Sequence, residues 1–459
     1  MKRDIKSRLE LFRVSGELKS GRQLAEELEH DQSDHLFPGE GREAETAFGR
    51  CYMRELKFPL EHRHGDRMLG GILHCCGSNL ALPTRNSNLE SFDPCKALFL
   101  DIETTGLAGG TGTWAFLIGV GRVEQDFFLL RQYFLRRPAE ERAILNHFSS
   151  LAAAFPTLIT FNGKLFDLPL IQTRQLLSGF KQTEPDLHLD LLHCARLLWK
   201  NRLQSRSLRS LEESLLGLSR YDDISGAEIP TVYFDFLRRG KTDQLKIVFR
   251  HNVLDILSMV TLLERIALLG GGNCIEHPAE ALALGRLCLS AGRTAEGLSY
   301  LKKAATKNSA SLSVEASLEL ARCLKREGSW SEAVSIWQQI VANETANLTA
   351  YVELAKFYEH RARDYRPAFE LTTRALELSG KARNQISGGE LSQVALHHRL
   401  KRLKSKLRKT GDQITGSALD PVDFNRALPA KVITNSSSSA PELSSGRLSG
   451  LNGEPAADA

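Results

Sequence analysis

Two carboxylates one residue apart, Asp101 and Glu103, interrupt the otherwise apolar segment "LFLDIETTG" at residues 98–106. Alternate residues of a β-strand point to the same face, so both acids project together while Leu100 and Ile102 turn towards the core. Like charges side by side are costly unless a cation lies between them. The pair therefore indicates either a divalent-metal site, which needs further acids from elsewhere in the chain, or a solvated edge strand.

Two more acids in the sequence are candidates for the same site. Asp167 follows the apolar segment "PTLITF" and begins a predicted helix, at the sheet edge where α/β proteins bind ligands. A helix N-cap is the alternative role for Asp167. The predicted helix "FRHNVLDILSMVTLLERI" carries His251 and Asp255 four positions apart, so both lie on one face that is otherwise apolar.

The chemistry of this set is that of a metal-dependent hydrolase. The carboxylates of Asp101, Glu103, Asp167 and Asp255 are hard oxygen ligands, which suit Mg²⁺ or Mn²⁺ better than zinc. Two such ions about 4 Å apart can hold the attacking water and the leaving oxygen of a phosphodiester. A base with a pKa near neutrality is then needed to accept the proton, and His251 fits that role.

The elements that must position these residues form an α/β pattern over residues 96–270. Three apolar strands separated by turns, "ALFLDIE", "WAFLIGVG" and "FFLLRQYFL", precede a predicted helix at 138–154, the strand "PTLITF" and a second helix. This order predicts a ribonuclease-H-like domain, with a mixed sheet flanked by helices. The connector "TTGLAGGTGTW" lacks the Gly-Lys-Ser/Thr ending of a phosphate-binding loop, so we predict a flexible hairpin loop there.

The chain after residue 278 is predicted to be an all-α solenoid that extends to residue 410. Gly297, Ala333 and Ala368 align at steps of 36 and 35 residues, close to the tetratricopeptide period, although an unrelated helical bundle is the alternative. Turn glycines occur in the first two units, whereas the third lacks one and carries an extra residue. A basic helix over about 389–409 is predicted to cap the array, either as a solvated face or as a phosphate-binding surface.

The two ends of the chain carry weaker signals. Residues 1–95 are predicted to be an extension, partly helical and partly loop, with a short strand at Phe58 to Leu60. The histidines and cysteines of this extension do not match the ligand spacing of structural zinc sites. Residues 411–459 are too polar to bury a core and are predicted to be disordered.

Composition sets limits on the kind of protein. The 459 residues are 42% hydrophobic and 25% charged, which is ordinary for a soluble globular protein of two or three domains. The formal net charge of +5 permits a nucleic-acid partner, and the eight cysteines show no disulfide framework. The first residues are too polar for a signal peptide and no apolar run is long enough to span a membrane, so we expect a cytoplasmic location.

Three segments of the chain resemble a known family. "LDIETTG", "ITFNGKLFD" and "HNVLD" are similar to the three motifs of the DEDD 3′–5′ exonucleases, and residues 50–270 resemble the YprB-type ribonuclease-H-like domain. The resemblance implies that Asp101, Glu103 and Asp255 bind two Mg²⁺ or Mn²⁺ ions directly. It also implies that Asp167 supports the second ion, often through water.

The third motif departs from the patterns of that family. The two familiar patterns are a tyrosine separated by three residues from the aspartate and a histidine separated by four. Here three residues separate His251 from Asp255, so the chain combines the histidine of one pattern with the spacing of the other. We therefore keep two interpretations of His251: it is a general base, or it packs or binds phosphate beside ions that activate water unaided.

The resulting hypothesis is a metal-dependent 3′–5′ exonuclease acting on single-stranded DNA or RNA, joined to helical repeats that recruit a protein partner or extend the nucleic-acid path. Substrate contacts are predicted for the segment Thr104, Thr105 and Gly106 and for Asn162. Phe161 and Phe166 are candidate stacking residues, with a place in the core as the alternative. A non-catalytic nucleic-acid-binding adaptor that works through the repeats is the alternative, and a structure-specific endonuclease is a third possibility.

Four further polar residues are predicted to be structural in the first instance. His188 and Asp190 are assigned to a strand end at the rim of the site, with substrate contact as a second role. Asp222 and Asp223 are assigned to the start of a loop.

Overall fold

The structure is a computed structural model. It describes residues 41–87, 89, 92–106, 111–306, 310–343, 347–381 and 391–410. The predicted N-terminal helix and the predicted disordered tail lie outside these residues. Packing divides the chain into two compact units, residues 1–316 and 317–459. Within the described ranges, no helix combines the length and the apolar character needed to cross a bilayer.

The first unit contains a mixed sheet of seven strands in the order β1-β2-β7-β6-β5-β8-β9. The strands, including those of a separate two-stranded ribbon (β3 and β4), are β1 (Gly41–Thr46), β2 (Gly49–Pro59), β3 (Arg63–His64), β4 (Arg67–Met68), β5 (Ala97–Thr104), β6 (Ala115–Glu124), β7 (Phe127–Phe134), β8 (Thr157–Thr160) and β9 (Leu187–Asp190). In this spatial order, the neighbours β1, β2, β7, β6 and β5 pair antiparallel, whereas β5, β8 and β9 pair parallel. This arrangement confirms the predicted mixed sheet.

Helices flank the sheet and continue beyond it. In the first unit they are α1 (Gly77–Thr84), α2 (Glu141–Ala152), α3 (Asp167–Leu177), α4 (Leu191–Trp199), α5 (Leu208–Leu215), α6 (Ile229–Arg239), α7 (Leu245–Gly270), α8 (Pro278–Ser290) and α9 (Thr294–Ala305). Side chains of β5 alternate between two cores, with Phe99 in one and Leu98 and Leu100 in the other. Asp101 and Glu103 therefore share the face of Phe99, as the spacing predicts.

Strands β1 and β2 come from the part of the chain that the sequence assigned to an extension of helix and loop. β2 pairs with β7, so that Tyr52 lies opposite Phe134 and Phe58 lies opposite Phe128. Only the short strand around Phe58 was expected. Because the partner segments are far apart in the sequence, no local pattern signals that this extension completes the sheet.

Helix α8, which the sequence assigned to the repeats, is an integral part of the first unit. Its Leu284 belongs to the same core as β5 and α7. Its fully buried Glu280 accepts hydrogen bonds from Trp199 Nε1 at 2.9 Å, Arg202 Nη1 at 2.7 Å and Arg265 Nη2 at 2.9 Å. Packing therefore does not divide the chain at 270–278, where the sequence placed the domain boundary.

The helices that follow show the local features expected of paired repeats. Gly285 of α8 and Gly297 of α9 face each other closely, since a Cβ on either would lie 3.2 Å or 3.1 Å from the carbonyl oxygen of the other. Gly292 and Gly328 have φ values of +76° and +87°, a left-handed conformation that favours glycine in their turns.

The second unit continues with helices in sequence order. Helix α10 (Ala310–Arg326) enters it, followed by α11 (Trp330–Ala342), α12 (Leu348–Phe357), α13 (Tyr365–Lys381) and α14 (Gln393–Thr410). A π-helical turn at Tyr358–Ala362 ends at Arg363, whose φ is +54°. A π-turn accommodates an extra residue, which accounts for the irregular third predicted repeat. The assignment to tetratricopeptide repeats stays a prediction.

The basic helix α14 is anchored through one buried acid. Glu359 accepts hydrogen bonds from Arg399 Nη1 at 2.7 Å, Arg402 Nε at 2.7 Å and Lys406 Nζ at 3.0 Å. Burial acts to raise the pKa of Glu359, but the bonds from Arg402 and Lys406 outweigh it and lower the pKa to about 2. Part of the basic run is therefore a structural anchor, while Lys401 and Arg408 remain exposed.

Candidate active site

Asp101 is held on β5 by an amide from α7. Its Oδ2 accepts a hydrogen bond from Asn252 Nδ2 at 2.8 Å, and Asn252 Oδ1 in turn accepts one from Gln132 Nε2 at 2.9 Å. Gly119 lies opposite Asp101 in the sheet, and a Cβ there would lie 2.1 Å from Asn252 Oδ1. The glycine is therefore required for Asn252 to reach the strand.

Asp167 links helix α3 to strand β5. It is the first residue of α3, and its Oδ1 accepts a hydrogen bond from the Ile102 backbone N–H at 3.1 Å. The N-cap position belongs to Phe166, whose side chain makes no capping bond. The N-cap alternative for Asp167 is therefore wrong, because its carboxylate bridges to the strand between the two acids of β5.

Asp255 and His251 form the third part of the site, on α7. Asp255 Oδ1 accepts a hydrogen bond from Arg220 Nη2 at 2.5 Å, and its Oδ2 lies 3.7 Å from His251 Nε2. His251 Nδ1 lies 2.8 Å from Asp223 Oδ1. Since a carboxylate only accepts, Nδ1 carries the proton and Nε2 is left to face Asp255.

The three aspartates share one pattern. One oxygen of each of Asp101, Asp167 and Asp255 is held by a donor from another element, and in the described part of the chain no other residue donates a hydrogen bond to the second oxygen. Among the described residues, none donates a hydrogen bond to the side-chain carboxylate of Glu103. Partly buried carboxylate oxygens without donors suit a hard cation. No three potential ligands among the described residues yet surround one point, so an ion would have to draw them together.

The electrostatics of the acids favour the same conclusion. Burial, followed by repulsion from Asp255 and neighbouring acids, raises the pKa values of Asp101 and Glu103 well above their usual range. Burial also raises the pKa of Asp167 to about 7, against the backbone hydrogen bond from Ile102. Full ionisation of these acids is therefore disfavoured in the fold as it stands, and a divalent cation would relieve the repulsion and favour their ionised forms.

An arginine that the sequence analysis did not single out lies at the centre of this region. The Arg220 side chain is 2% exposed and forms ion pairs with Glu212, Asp223 and Asp255. The assignment of Asp223 to the start of a loop is incomplete, since its carboxylate binds both Arg220 and His251. Burial acts to raise the pKa of Asp223, but the His251 hydrogen bond and the Arg220 charge outweigh it and lower the pKa.

The anchor of that arginine is itself buried. Glu212 of α5 accepts hydrogen bonds from Arg220 Nε at 2.7 Å and from Ser258 Oγ at 2.5 Å, and Ser258 Oγ lies 2.7 Å from His64 Nε2. Burial lowers the pKa of His64 to about 4, so its ring is neutral at physiological pH. A glutamate next to the apolar positions of a short amphipathic helix was the one sequence signal for this network.

The predicted substrate-binding residues at the end of β5 make hydrogen bonds that stabilise the turn after this strand. Thr104 Oγ1 donates to the Gly106 carbonyl at 2.9 Å, and Thr105 Oγ1 accepts from the Trp114 backbone N–H at 2.9 Å. Residues 107–110, the centre of the glycine-rich connector, lie outside the described residues. Contact of these threonines with substrate stays a prediction.

The loop before Asp167 is rigidly held and presents apolar side chains. Asp190 accepts hydrogen bonds from the backbone N–H groups of Asn162 at 2.8 Å and Lys164 at 3.2 Å. Asn162 has a left-handed φ of +67°. Leu165 and Phe166 are 65% and 57% exposed, so the loop tip is open to solvent.

The two residues at the end of β9 have structural contacts. Asp190 also caps helix α4 by accepting a hydrogen bond from the Leu192 N–H at 3.1 Å. His188 Nε2 lies 2.9 Å from Thr160 Oγ1, and burial lowers its pKa to about 4. These contacts agree with the structural role predicted for both residues.

Comparison with known proteins identifies the class that the sheet and its acids define. Residues 98–267 match the family model of the RNase H superfamily, and this range contains all four acids. The fold is therefore ribonuclease-H-like, and the domain belongs to a class of nucleic-acid nucleases. A relative extends the match beyond this domain: protein YprB of Bacillus subtilis (strain 168) is 30% identical over 365 residues, covering 78% of this chain and 86% of the relative. The chain belongs to the YprB family.

Proposed function

We propose that the chain is a two-metal-ion nuclease that hydrolyses single-stranded nucleic acid from the 3′ end. The observation that carries the proposal is the arrangement of Asp101, Asp167 and Asp255, each with one oxygen fixed by a donor from another element and the second oxygen without a donor from any other described residue. Glu103 adds a fourth carboxylate beside them. When bound, two divalent ions would supply charge stabilisation in the transition state and an activated water.

The residues of the chain have distinct tasks in this reaction. The four carboxylates would hold the two Mg²⁺ or Mn²⁺ ions, with Asp101 fixed by Asn252. His251 would accept the proton of the nucleophile at Nε2, because the hydrogen bond to Asp223 keeps the other ring proton on Nδ1. Asp223 thus orients the base without touching the substrate.

The loop before α3 supports the proposal of a single-stranded end as substrate. Leu165 and Phe166 are exposed next to Asp167, while Asp190 fixes the backbone at Asn162. A rigid, exposed aromatic side chain suits stacking on an unpaired base. We propose that Phe166 stacks on the terminal nucleotide and that Asn162, Thr104, Thr105 and Gly106 contact it through polar groups.

The test is degradation of labelled oligonucleotides. Single-stranded DNA and RNA, labelled at the 3′ or the 5′ end, are incubated with protein in Mn²⁺, in Mg²⁺ or in EDTA. We expect stepwise shortening from the 3′ end that needs a divalent ion. Cleavage of a circular single strand would show an endonuclease instead, and binding without cleavage would favour the adaptor.

Variants link that activity to the site. Asp101→Asn, Glu103→Gln and Asp255→Asn are each expected to abolish cleavage while the fold is retained, since the repulsion among the acids falls. Asp186→Asn is the matched control, because Asp186 is an exposed aspartate outside the cluster. Full activity of one of the three variants at the same metal concentration removes that residue from the site.

A further inference from the structure

The guanidinium of Arg220 has an unusually complete set of partners. Its Nε and Nη2 face both oxygens of Glu212, its Nη2 also reaches Asp255 Oδ1, and its Nη1 lies 3.3 Å from Asp223 Oδ2. A guanidinium has five N–H groups in one plane, and these contacts engage four of them. At 2% exposure the side chain cannot reach substrate in solution.

The partners of Arg220 fall into two groups. Glu212 is fully buried, is tied to α7 by the hydrogen bond from Ser258, and therefore fixes one edge of the guanidinium. The other N–H groups hold Asp255, a proposed metal ligand, and Asp223, the partner of the proposed base. Arg220 thus joins a rigid anchor to both functional groups.

We infer that Arg220 is a positioning residue that fixes the orientation of Asp255 and of the Asp223–His251 pair. By occupying Oδ1 of Asp255, it leaves Oδ2 as the oxygen directed to an ion. By holding Asp223 Oδ2, it leaves Oδ1 to accept the His251 proton. This inference rests on the proposed function, since it assigns Asp255 to a metal site.

Charge alone does not account for the arrangement. A lysine would supply the same positive charge, but its single ammonium cannot bridge Glu212 side-on while donating to two further carboxylates in one plane. Arg220→Lys therefore keeps the positive charge but removes the planar set of donors that positions the carboxylates. Substitution of a residue that orients a metal ligand without touching the metal typically lowers metal affinity by about 10- to 100-fold.

Arg265 supplies a matched control. It is fully buried, lies on the same helix as Asp255 and is ion-paired with the fully buried Glu280 at 2.9 Å. Arg265→Lys disturbs a buried ion pair of the same kind, but its acid partners are outside the candidate active site. A general effect of weakening a buried ion pair would appear in both variants.

The experiment measures Mn²⁺ affinity without nucleic acid, by calorimetry and by the electron paramagnetic resonance signal of free Mn²⁺. We expect Arg220→Lys to weaken Mn²⁺ binding by about 10-fold or more, and Arg265→Lys to leave it unchanged. Circular dichroism and melting curves establish that each variant is folded. Glu212→Gln is the second variant. It leaves the arginine in place, replaces one acceptor oxygen of its anchor by an N–H donor, and is expected to weaken Mn²⁺ binding in the same direction.

The outcomes separate this inference from the proposed function. Wild-type binding of Mn²⁺ together with unchanged binding by folded Arg220→Lys and Glu212→Gln would overturn the positioning role but leave the metal site intact. Equal weakening in Arg220→Lys and Arg265→Lys would also overturn it, as a general packing effect. Absence of Mn²⁺ binding by the wild-type protein would overturn the metal site and the inference with it.

Discussion

Asp167→Asn should stabilise the metal-free protein although it removes a proposed metal ligand. Burial raises the pKa of Asp167 from 3.8 to about 7, so the ionised form is disfavoured in the folded state. Each tenfold change in a proton equilibrium corresponds to about 1.4 kcal/mol. Ionised Asp167 therefore lowers the free energy of unfolding by at most roughly 4 kcal/mol. Because the repulsion is shared among several acids, we expect a gain of about 2–4 kcal/mol in the free energy of unfolding at pH 8.

The pH dependence has a definite direction. Between pH 3.8 and about 7 the folded state keeps the Asp167 proton that the unfolded chain has released. The free energy of unfolding of the wild-type protein therefore falls as pH rises through this window and levels off above it. The advantage of Asp167→Asn, which keeps an oxygen to accept from the Ile102 N–H, should be largest at pH 8 and should vanish below about pH 4.

The assay must report on the first unit alone. Hydrogen exchange is measured in a urea series in EDTA, on peptides from β5 and β8, for wild type, Asp167→Asn and the exposed-site control Asp186→Asn. Saturating Mn²⁺ should then stabilise the wild type more than Asp167→Asn, which reverses part of the difference. Lower stability of Asp167→Asn than of wild type at pH 8 in EDTA would refute the reasoning.

Three further predictions concern the base, the substrate loop and the basic helix. His251→Ala should lower kcat by about 10²- to 10⁴-fold with little change in KM, whereas His251→Tyr should keep part of the lost activity and raise the pH optimum. Normal turnover of both variants would show that His251 is structural. Asp190→Ala should lower the free energy of unfolding by about 3 kcal/mol, because two loop N–H groups and the N-terminus of a helix lose a charged acceptor. Hydrogen exchange of Asn162 and its neighbours should accelerate, and unchanged exchange would contradict this prediction. If Lys401 and Arg408 contact phosphates, replacing each by glutamine should reduce the slope of log affinity against log salt by about 0.7 on single strands, and an identical slope would leave them as solvated charges.

Local patterns were sufficient for the elements that carry the proposed ligands. The apolar runs around Asp101 and before Asp167, and the helical spacing of His251 and Asp255, predicted β5, β8 and α7 because each signal lies within one element. The common face of Asp101 and Glu103 follows from the period of a strand. The predicted hairpins and following helix also agree with the structure.

Long-range pairing was beyond those patterns. The contact of β2 with β7 and the approach of Arg220 to Asp255 join segments with no shared local signal. Arg220 lies in an irregular connection, where periodicity carries no information about burial. The contacts of Asp223 were beyond prediction for the same reason, because only its partners Arg220 and His251 distinguish it from an ordinary loop aspartate.

The contacts of Glu280 bear on how this chain could have been assembled by gene fusion. An ancestral nuclease ending at residue 270 would have left Trp199 and Arg265 without the carboxylate that both now share, so Arg265, fully buried in the present fold, would have needed another partner or exposure to water. An unpaired buried cation is among the costliest defects that a fold can carry. A later exchange of the helical array for another one is therefore tolerable only downstream of α8, so lineages that exchange these helices should preserve α8 with the ribonuclease-H-like domain.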